Sequence, residues 1–415
     1  MISAVVERCM GIDVGKKFVV ACLMVGPAAE DPRVELRQFG TFTEDLLRLR
    51  DWIAAEQCTH AVMESTGSYW KPVFNVLEDA VTVVLANPHE IKMRKGHKTD
   101  WKDSRWLAHL LRHGMVPASF IPERGIRELR DLTRRRRQLI SACVSEKNRI
   151  QKILEDANVK LGSVLTDIFG VTGRAILAAL LEGKLSAVEM ANLAKKLAKR
   201  KIPEITASLE GHRLTAVQRF LIRQSLGHLE FLQASIRELE AETRTRIEAV
   251  EEYHRTVLLL QTIPGIREEA AAGILAEMGP RMEQFPSEKH LSSWVGLCPG
   301  NNKSAGVERS GHIGKGNHWL RSLIVECSWA ASLKQGSLFC SKYRQLAPRI
   351  GNKRAVVAVG HAMVVLIFQM LRSGAPYRQT AIEAALESKR RKSIQRHVKA
   401  LNKLGVVLKD IRYPD

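Results

Sequence analysis
The hydrophobic pattern changes period along the chain, and that change limits the fold more than any other feature. Through residues 9–112 short apolar, β-branched runs alternate with amphipathic segments, whereas from about residue 124 the apolar residues recur at helical spacing. A strand period and a sustained helical period bury different layers, so the chain divides into an α/β part and an all-α part. In the first part, Cys9–Val14 and Phe18–Val25 flank Gly15-Lys16-Lys17 and predict a hairpin, with Val34–Phe42 as a third strand. Thr43 is the predicted cap of a helix whose apolar face holds Leu46, Leu47 and Trp52, with Ile53 beside it. A strand at His60–Glu64, a helix at Tyr69–Asp79 and a strand at Val81–Ala86, closed by Asn87-Pro88, complete a mixed sheet.

That order of elements is the one expected of a ribonuclease-H-like core. Beyond it, Arg124–Leu161 places Leu129, Leu132, Leu139, Cys143, Ile150 and Ile153 near one seam, interrupted by the run Arg134-Arg135-Arg136-Arg137. Leu229–Val257 carries a second seam of Leu229, Leu232, Ile236, Leu239, Val250 and Val257. Long helices of this kind pair as a coiled-coil hairpin or with another copy of the chain. Between them Leu193–Ile205 reads as a small helical insertion broken by Pro203. After Leu258, a Pro264-Gly265 turn leads into an alanine-rich helix over Glu268–Met278, like half of a helix-hairpin-helix whose exposed amides suit a phosphate. A glycine-dense loop, CPGNNKSAGVERSGHIGKG, follows, and from Lys389 the chain is strongly basic. The expected boundaries are 1–122, 123–257, 258–375 and a basic tail at 376–415.

The apolar run Ala355–Leu371 contains His361 and Gln369 and reads as a buried helix, so no membrane role is expected. Seven scattered cysteines with no CxxC spacing argue for a reducing compartment and against a thiolate zinc site, and the first residues lack a secretory pattern; a cytoplasmic protein is expected. With 64 Lys and Arg against 44 Asp and Glu, the net charge of +20 suits a polyanionic partner.

Four acids stand out by position: Asp13 in the first strand, Glu64 at the end of the His60 strand, and Asp100 and Asp103 three apart on a helix, hence on one face. Adjacent strand ends and a nearby helix can gather all four, and hard oxygen ligands of this type suit Mg2+ or Mn2+, two of which assist phosphodiester cleavage. The plain alternatives remain: GIDVG also resembles the phosphate loop of actin-like sugar kinases, and Asp100 and Asp103 also favour a helix dipole. His97 and Lys98 read as phosphate contacts or solvated positions. Tyr69, Trp70 and Trp101 can stack on bases or pack the core, and Trp106 reads as core. The arginine run spreads around its helix and is expected to contact nucleic acid.

GIDVGKKF, MESTGSYW, ANPHEIKMRKGHKTDWKDSRWLAHLL, TIPGI and GLCPGNNKSAG with IGKGNHWLR together resemble the insertion-sequence transposases of the IS one-ten family, kin of the Piv DNA invertases. The resemblance covers about residues 9–160 and 255–345. It implies a RuvC-like ribonuclease-H fold with an Asp-Glu-Asp-Asp tetrad, which maps to Asp13, Glu64, Asp100 and Asp103, and a mainly helical C-terminal transposase domain with a nucleophilic serine. Ser304 matches that serine and Ser310 competes with it; Lys303 and Lys315 stand close by in the chain to offset phosphate charge. The implied reaction is cutting and rejoining of donor and target DNA through a covalent phosphoserine, guided by a structured non-coding RNA, in a dimer or tetramer whose composite site forms between subunits. The competing functions are a metal-dependent junction or strand nuclease that uses water, and a non-catalytic basic nucleic-acid-binding scaffold.

Overall fold
The computed structural model describes residues 5–65, 67–87, 99–117, 119–298, 302–304, 307–309, 313–314, 316–379, 391 and 394–398. They form two compact units, 1–121 and 122–415.

In the first unit, β1 (Arg8–Val14), β2 (Phe18–Val25), β3 (Arg33–Gly40), β4 (His60–Glu64) and β5 (Thr82–Ala86) form one sheet in the order β3-β2-β1-β4-β5. The β1–β2–β3 half is antiparallel, and β4 and β5 run parallel to β1. The turn after β1 closes where Gly15 N donates to Phe18 O at 3.0 Å, as the Gly15-Lys16-Lys17 signal predicted. Strands β1, β2 and β4 are apolar on both sides because both faces are covered. On one face Met10, Ile12, Ala61 and Met63 pack with Leu46, Leu49, Trp52 and Ile53 of α1 (Thr43–Ala55) and Val73 and Leu77 of α2 (Trp70–Leu77). On the other, Cys9, Cys22, Val62 and Ala86 pack with Leu107, Ala108 and Leu111 of α3 (Asp100–Arg112). Two local expectations are corrected. The residue before the first turn of α1 is Phe42, in extended backbone, and Thr43 already lies inside the helix. The buried stripe uses Leu49 rather than Leu47, because 46, 49 and 53 share a helical face.

In the second unit, α4 (Arg124–Asp156) and α9 (Ala216–Glu248) lie antiparallel. Their cross-links fix the direction: Gln218 Nε2 donates to Asp156 Oδ2 at 2.7 Å, Arg136 Nη2 meets Glu240 Oε1 at 2.7 Å, and Arg246 Nη1 meets Glu128 Oε2 at 2.6 Å. Leu139, Cys143, Ile150 and Leu154 of α4 and Ile222, Leu229 and Leu232 of α9 belong to one core. The heptad seam is therefore consumed within the chain, as the hairpin alternative predicts. That core continues into a cap made of α5 (Leu161–Val164), α6 (Val171–Glu182), α7 (Ala187–Ala191), a 3-10 helix (Lys196–Lys201) and α8 (Ile202–Leu209). Pro203 sits in the first turn of α8, where its missing N–H costs nothing, and so starts a helix rather than breaking one. The second seam is also not one helix: Val250 is extended (φ −122°, ψ 110°) and the chain restarts as α10 (Glu251–Gln261).

The remaining elements are α11 (Glu268–Met278), α12 (Glu288–Val295), the short strands β6 (Asn302–Ser304) and β7 (Val307–Arg309), α13 (His318–Leu333), α14 (Leu338–Ile350) and α15 (Asn352–Ser373). Among the described residues α15 is the one helix long and apolar enough to cross a membrane, and half of its most apolar stretch is buried inside the protein. Its residues Ala355, Val359, Met363 and Ile367 are fully covered, and it packs on α12, α13 and α14. The glycine-dense segment, read as loop, contains the antiparallel pair β6–β7. Most of the basic tail lies outside the described residues.

Candidate functional site
Strand register brings two of the predicted acids together. Gly11 and Ile12 of β1 lie opposite Val62 and Met63 of the parallel strand β4, so Asp13 and Glu64 follow as the next pair. Side chains alternate across a strand. Because Cys9, Val62 and Ala86 belong to the core under α3, Asp13 and Glu64 project on that same face, both half-buried, at the carboxyl ends of adjacent strands.

The direction of α3 sets the place of the other two. Its C-terminal Arg112 is buried, and its guanidinium donates to Val6 O (3.4 Å), Glu7 O (3.2 Å), Gly26 O (3.2 Å from each amino nitrogen), Pro27 O (2.6 Å) and Glu30 O (3.4 Å). These carbonyls lie around the start of β1 and the end of β2, so α3 runs antiparallel to β1 and its first turn lies toward the Asp13 end. Gly11 makes the close approach possible: a Cβ there would stand 2.2 Å from Ser104 O and 2.3 Å from Ala108 N. Asp100 and Asp103 occupy that first turn, behind Thr99, whose Oγ1 accepts from Lys102 N at 3.3 Å. Asp100 is exposed and Asp103 half-buried. Both also favour the helix dipole, so the plain reading of these acids is satisfied as well.

The donor set is all carboxylate and its sheet position is open to a hard cation, which fits Mg2+ or Mn2+ chemically. Among the described residues, however, no group of three or more His, Cys, Asp or Glu side chains is gathered tightly enough to hold a metal ion. Trp101 and Tyr69 are about half exposed, Trp70 packs on the α1–α2 core, and Trp106 packs partly under α3. His97 and Lys98 lie outside the described residues.

In the second unit, Ser304 ends β6 and pairs with Val307 of β7. Ser310 and Lys315 lie outside the described residues. The segment's two roots meet: a Cβ on Gly316 (φ +40°) would stand 2.5 Å from Gly296 N, and one on Gly296 (φ +79°) would stand 2.8 Å from Gly314 O. Positive φ and missing room both demand glycine here. Asn317 follows, capping α13 with its Oδ1 at 3.1 Å from Trp319 N and 3.2 Å from Leu320 N.

Two segments expected to contact phosphate have partners within the unit. Arg134 is bidentate to Glu277 (2.7 and 2.8 Å), Arg136 pairs with Glu240, and Arg137 pairs with Glu326. The arginine run thus binds acids of the same unit; Arg135 is the exposed member. An open cleft of about 1050 Å³ between α4, α9, α10, α11 and α13 is lined by both partners of these pairs, so its charge is largely compensated. The Pro264-Gly265 turn is packed inward rather than offered to a ligand: Ile263, Pro264 and Ile266 are buried, and a Cβ on Gly265 would stand 2.5 Å from Cys327 O. Glu268 and Glu269 in the first turn of α11 further oppose an anion there. Arg112 and Glu277 were missed in the sequence. A lone arginine in an otherwise apolar helix end was the one signal for the first, and the second had none.

Residues 10–159 match a DEDD transposase family of the IS110 type, and residues 257–344 match the Transposase IS116/IS110/IS902 family. A candidate transposase, y4pF/y4sB, of Sinorhizobium fredii is 30% identical over 156 residues, 36% of this chain and 40% of that protein. The pilin gene-inverting protein of Moraxella bovis is 25% identical over 146 residues, 34% of this chain and 45% of that protein. The aligned regions span less than half the length of these relatives. The Thermus thermophilus RuvC structure aligns over 27% of this chain and 99% of its own at 10% identity, with a TM-score of 0.22.

Proposed function
This chain belongs to the IS116/IS110/IS902 family of transposases, and we propose that it cuts and rejoins DNA strands with a carboxylate site in its first unit and a serine nucleophile in its second. The observation that carries the first half is the β1–β4 register, which sets Asp13 beside Glu64 on the face covered by the helix that bears Asp100 and Asp103. The sheet order β3-β2-β1-β4-β5, antiparallel on one side and parallel on the other, supports a RuvC-like ribonuclease-H fold. Drawn closer than they stand here, these four carboxylates would hold a hard divalent ion, which would supply polarisation of a phosphodiester and a lowered hydroxyl pKa. The chain's own part is to hold the acids on two strand ends and a helix turn that are anchored by buried groups, so that little ordering is left for the moment of reaction.

Ser304 is the proposed nucleophile. Its hydroxyl attacks a DNA phosphorus and gives its proton to a general base, the P–O bond to the leaving deoxyribose oxygen breaks, and that oxygen is protonated. The phosphoserine keeps the phosphodiester energy, so reversal of the step onto a new strand rejoins DNA without a further energy source. The surplus of +20, with Lys195, Lys196, Lys199, Arg200 and Lys201 all exposed on the helical cap, supports binding of nucleic acid. A structured non-coding RNA selects donor and target strands in this reading, and a homo-oligomer holds the DNA partners together.

Trapping the protein on DNA tests the scheme. A covalent protein–DNA species is expected from the wild type and from Ser310→Ala but not from Ser304→Ala, and it should need a divalent ion and Asp13. Strand cleavage without any adduct would point to a water-using nuclease, and binding without cleavage to a scaffold; either result overturns the serine mechanism.

A further inference from the structure
We propose that Glu277 is a positioning residue for the serine hairpin, acting through Asn317; the proposal rests on the reading of Ser304 as nucleophile. Glu277 lies in the last turn of α11 with 4% of its side chain exposed. Its Oε1 accepts from Arg134 Nε at 2.7 Å, and its Oε2 accepts from Arg134 Nη2 at 2.8 Å and from Asn317 Nδ2 at 2.7 Å. Arg130 Nε lies 3.5 Å from Oε2, and that guanidinium also donates to Ala276 O and Glu277 O at the end of α11. Burial pulls the Arg130 pKa below its ordinary value, with Glu277 opposing that shift.

Asn317 is where this buried network touches the hairpin segment. It is the first residue after the glycine neck, its N–H donates to Trp294 O at 2.9 Å, its Oδ1 caps α13, and its Nδ2 is held by Glu277. The residues on each side of the serine segment, 294–296 and 316–317, are therefore tied to one another and, through one carboxylate, to α4. A buried ion pair contributes little net stability over a well-packed apolar pair, because desolvation offsets its attraction. What it supplies is direction: Arg134 fixes the plane of the carboxylate, and the carboxylate fixes the rotation of the Asn317 amide. That rotation also aims Oδ1 at the α13 amides, so the entry of α13 and the exit of the serine segment are set by the same side chain. The arginine run, which looked like a phosphate contact, in this way links the long helical hairpin to the proposed nucleophile.

The test is an exchange of roles in the full-length protein. Asn317→Asp keeps an excellent helix cap but sets a second carboxylate against Glu277 in place of a donor. Adding Glu277→Gln removes the repulsion between two carboxylates and leaves the total charge as in the wild type, but the amide nitrogen turned toward the new carboxylate then faces Arg134 Nη2, so the contact is relieved and not fully restored. For Asn317→Asp, backbone amides of residues 302–304 and 307–309 should exchange about tenfold faster. Covalent adduct formation at saturating DNA should slow about 10- to 100-fold while half-saturating DNA changes by less than about threefold. The double variant should recover at least about threefold of each loss, a coupling that a merely space-filling role would not produce. Unchanged exchange in the single variant, or no recovery in the double, overturns the proposal. If Asn317→Asp does not fold, Asn317→Ser, which keeps a capping hydroxyl and loses the amide donor, is read against the same exchange criterion. Absence of adduct in the wild type would sink the serine mechanism alone, because the exchange measurements still decide whether Glu277 positions the hairpin.

Discussion

Replacing Gly11 by alanine tests how the acidic edge is assembled. A Cβ at this position would stand 2.2 Å from Ser104 O, 2.3 Å from Ala108 N and 2.9 Å from Ala108 Cα. All three are backbone atoms of α3, so no rotamer change relieves the clash, and the helix must retreat by about 1 Å before ordinary contact returns. Overpacking of this kind costs about 1–3 kcal/mol. For a unit of this size that lowers the melting temperature by roughly 4 °C per kcal/mol. Asp103 precedes Ser104 on the same turn, so the retreat carries Asp100 and Asp103 away from Asp13 and Glu64. A displacement of about 1 Å at a reacting centre costs about 100-fold in rate. Strand cleavage at saturating DNA and divalent ion should therefore fall about 100-fold in Gly11→Ala, with DNA binding changed less than about threefold. Unchanged melting would refute the seating of α3 on Gly11. Lower melting with full cleavage would refute the participation of the acids on α3.

Arg112→Leu removes the donors to five main-chain carbonyls in a buried place, and should destabilise the first unit by about 3–5 kcal/mol in chemical denaturation; a loss below about 1 kcal/mol would contradict its anchoring role. Burial pushes the Cys9 thiol up to about 12 and those of Cys22 and Cys58 up to about 11, from an ordinary 9.0. The folded unit keeps protons that the unfolded chain releases above pH 9, so this contribution is intact below pH 9 and is lost as pH rises through 11–12. Each thiol should lower stability by about 1.4 kcal/mol per pH unit between pH 9 and its own raised pKa, and a triple Cys→Ala variant should show a flatter alkaline limb. Gly227→Ala, on an exposed face of α9 where a Cβ meets nothing within 4 Å, should stabilise the protein by about 1 kcal/mol and leave cleavage unaltered, which makes it the control for Gly11→Ala.

The sheet was legible because β1, β2 and β4 are apolar runs with a turn signal at Gly15, and Asp13 and Glu64 were visible as the charges that end two of those runs. What points the first turn of α3 toward the Asp13 end was less legible. It depends on the direction of α3, which is set by a clearance at Gly11 and by Arg112 bonding to carbonyls as much as 106 residues away, contacts that no local pattern announces. The arginine run failed for the same reason. Its partners Glu277, Glu240 and Glu326 lie 143, 104 and 189 residues along the chain, so on the sequence it looked like unopposed charge. On α1 the stripe falls on Leu49 and not Leu47, because the sheet beneath selects the face through Leu46, Leu49 and Ile53. The β6–β7 pair escaped notice because glycine and polar residues carry no strand period.

The internal pairing of the arginine run changes what the charge of this protein means for a nucleic acid. Each phosphate neutralised by a protein cation releases condensed counterions and steepens the fall of affinity with salt by about 0.9 logarithmic units on duplex DNA. Arg130, Arg134, Arg136 and Arg137 already have carboxylates or carbonyls as partners, so they are expected to add little to that slope. For the proposed binding of a nucleic acid, the expected ionic footprint is thus smaller than a tally of basic residues suggests, and the exposed lysines of the cap are the groups left to supply it. Under the proposed function, raising the salt would then loosen the hold on a polyanion while leaving the buried junction between α4 and α11 shut, so that its release need not disturb the core beside the β6–β7 segment.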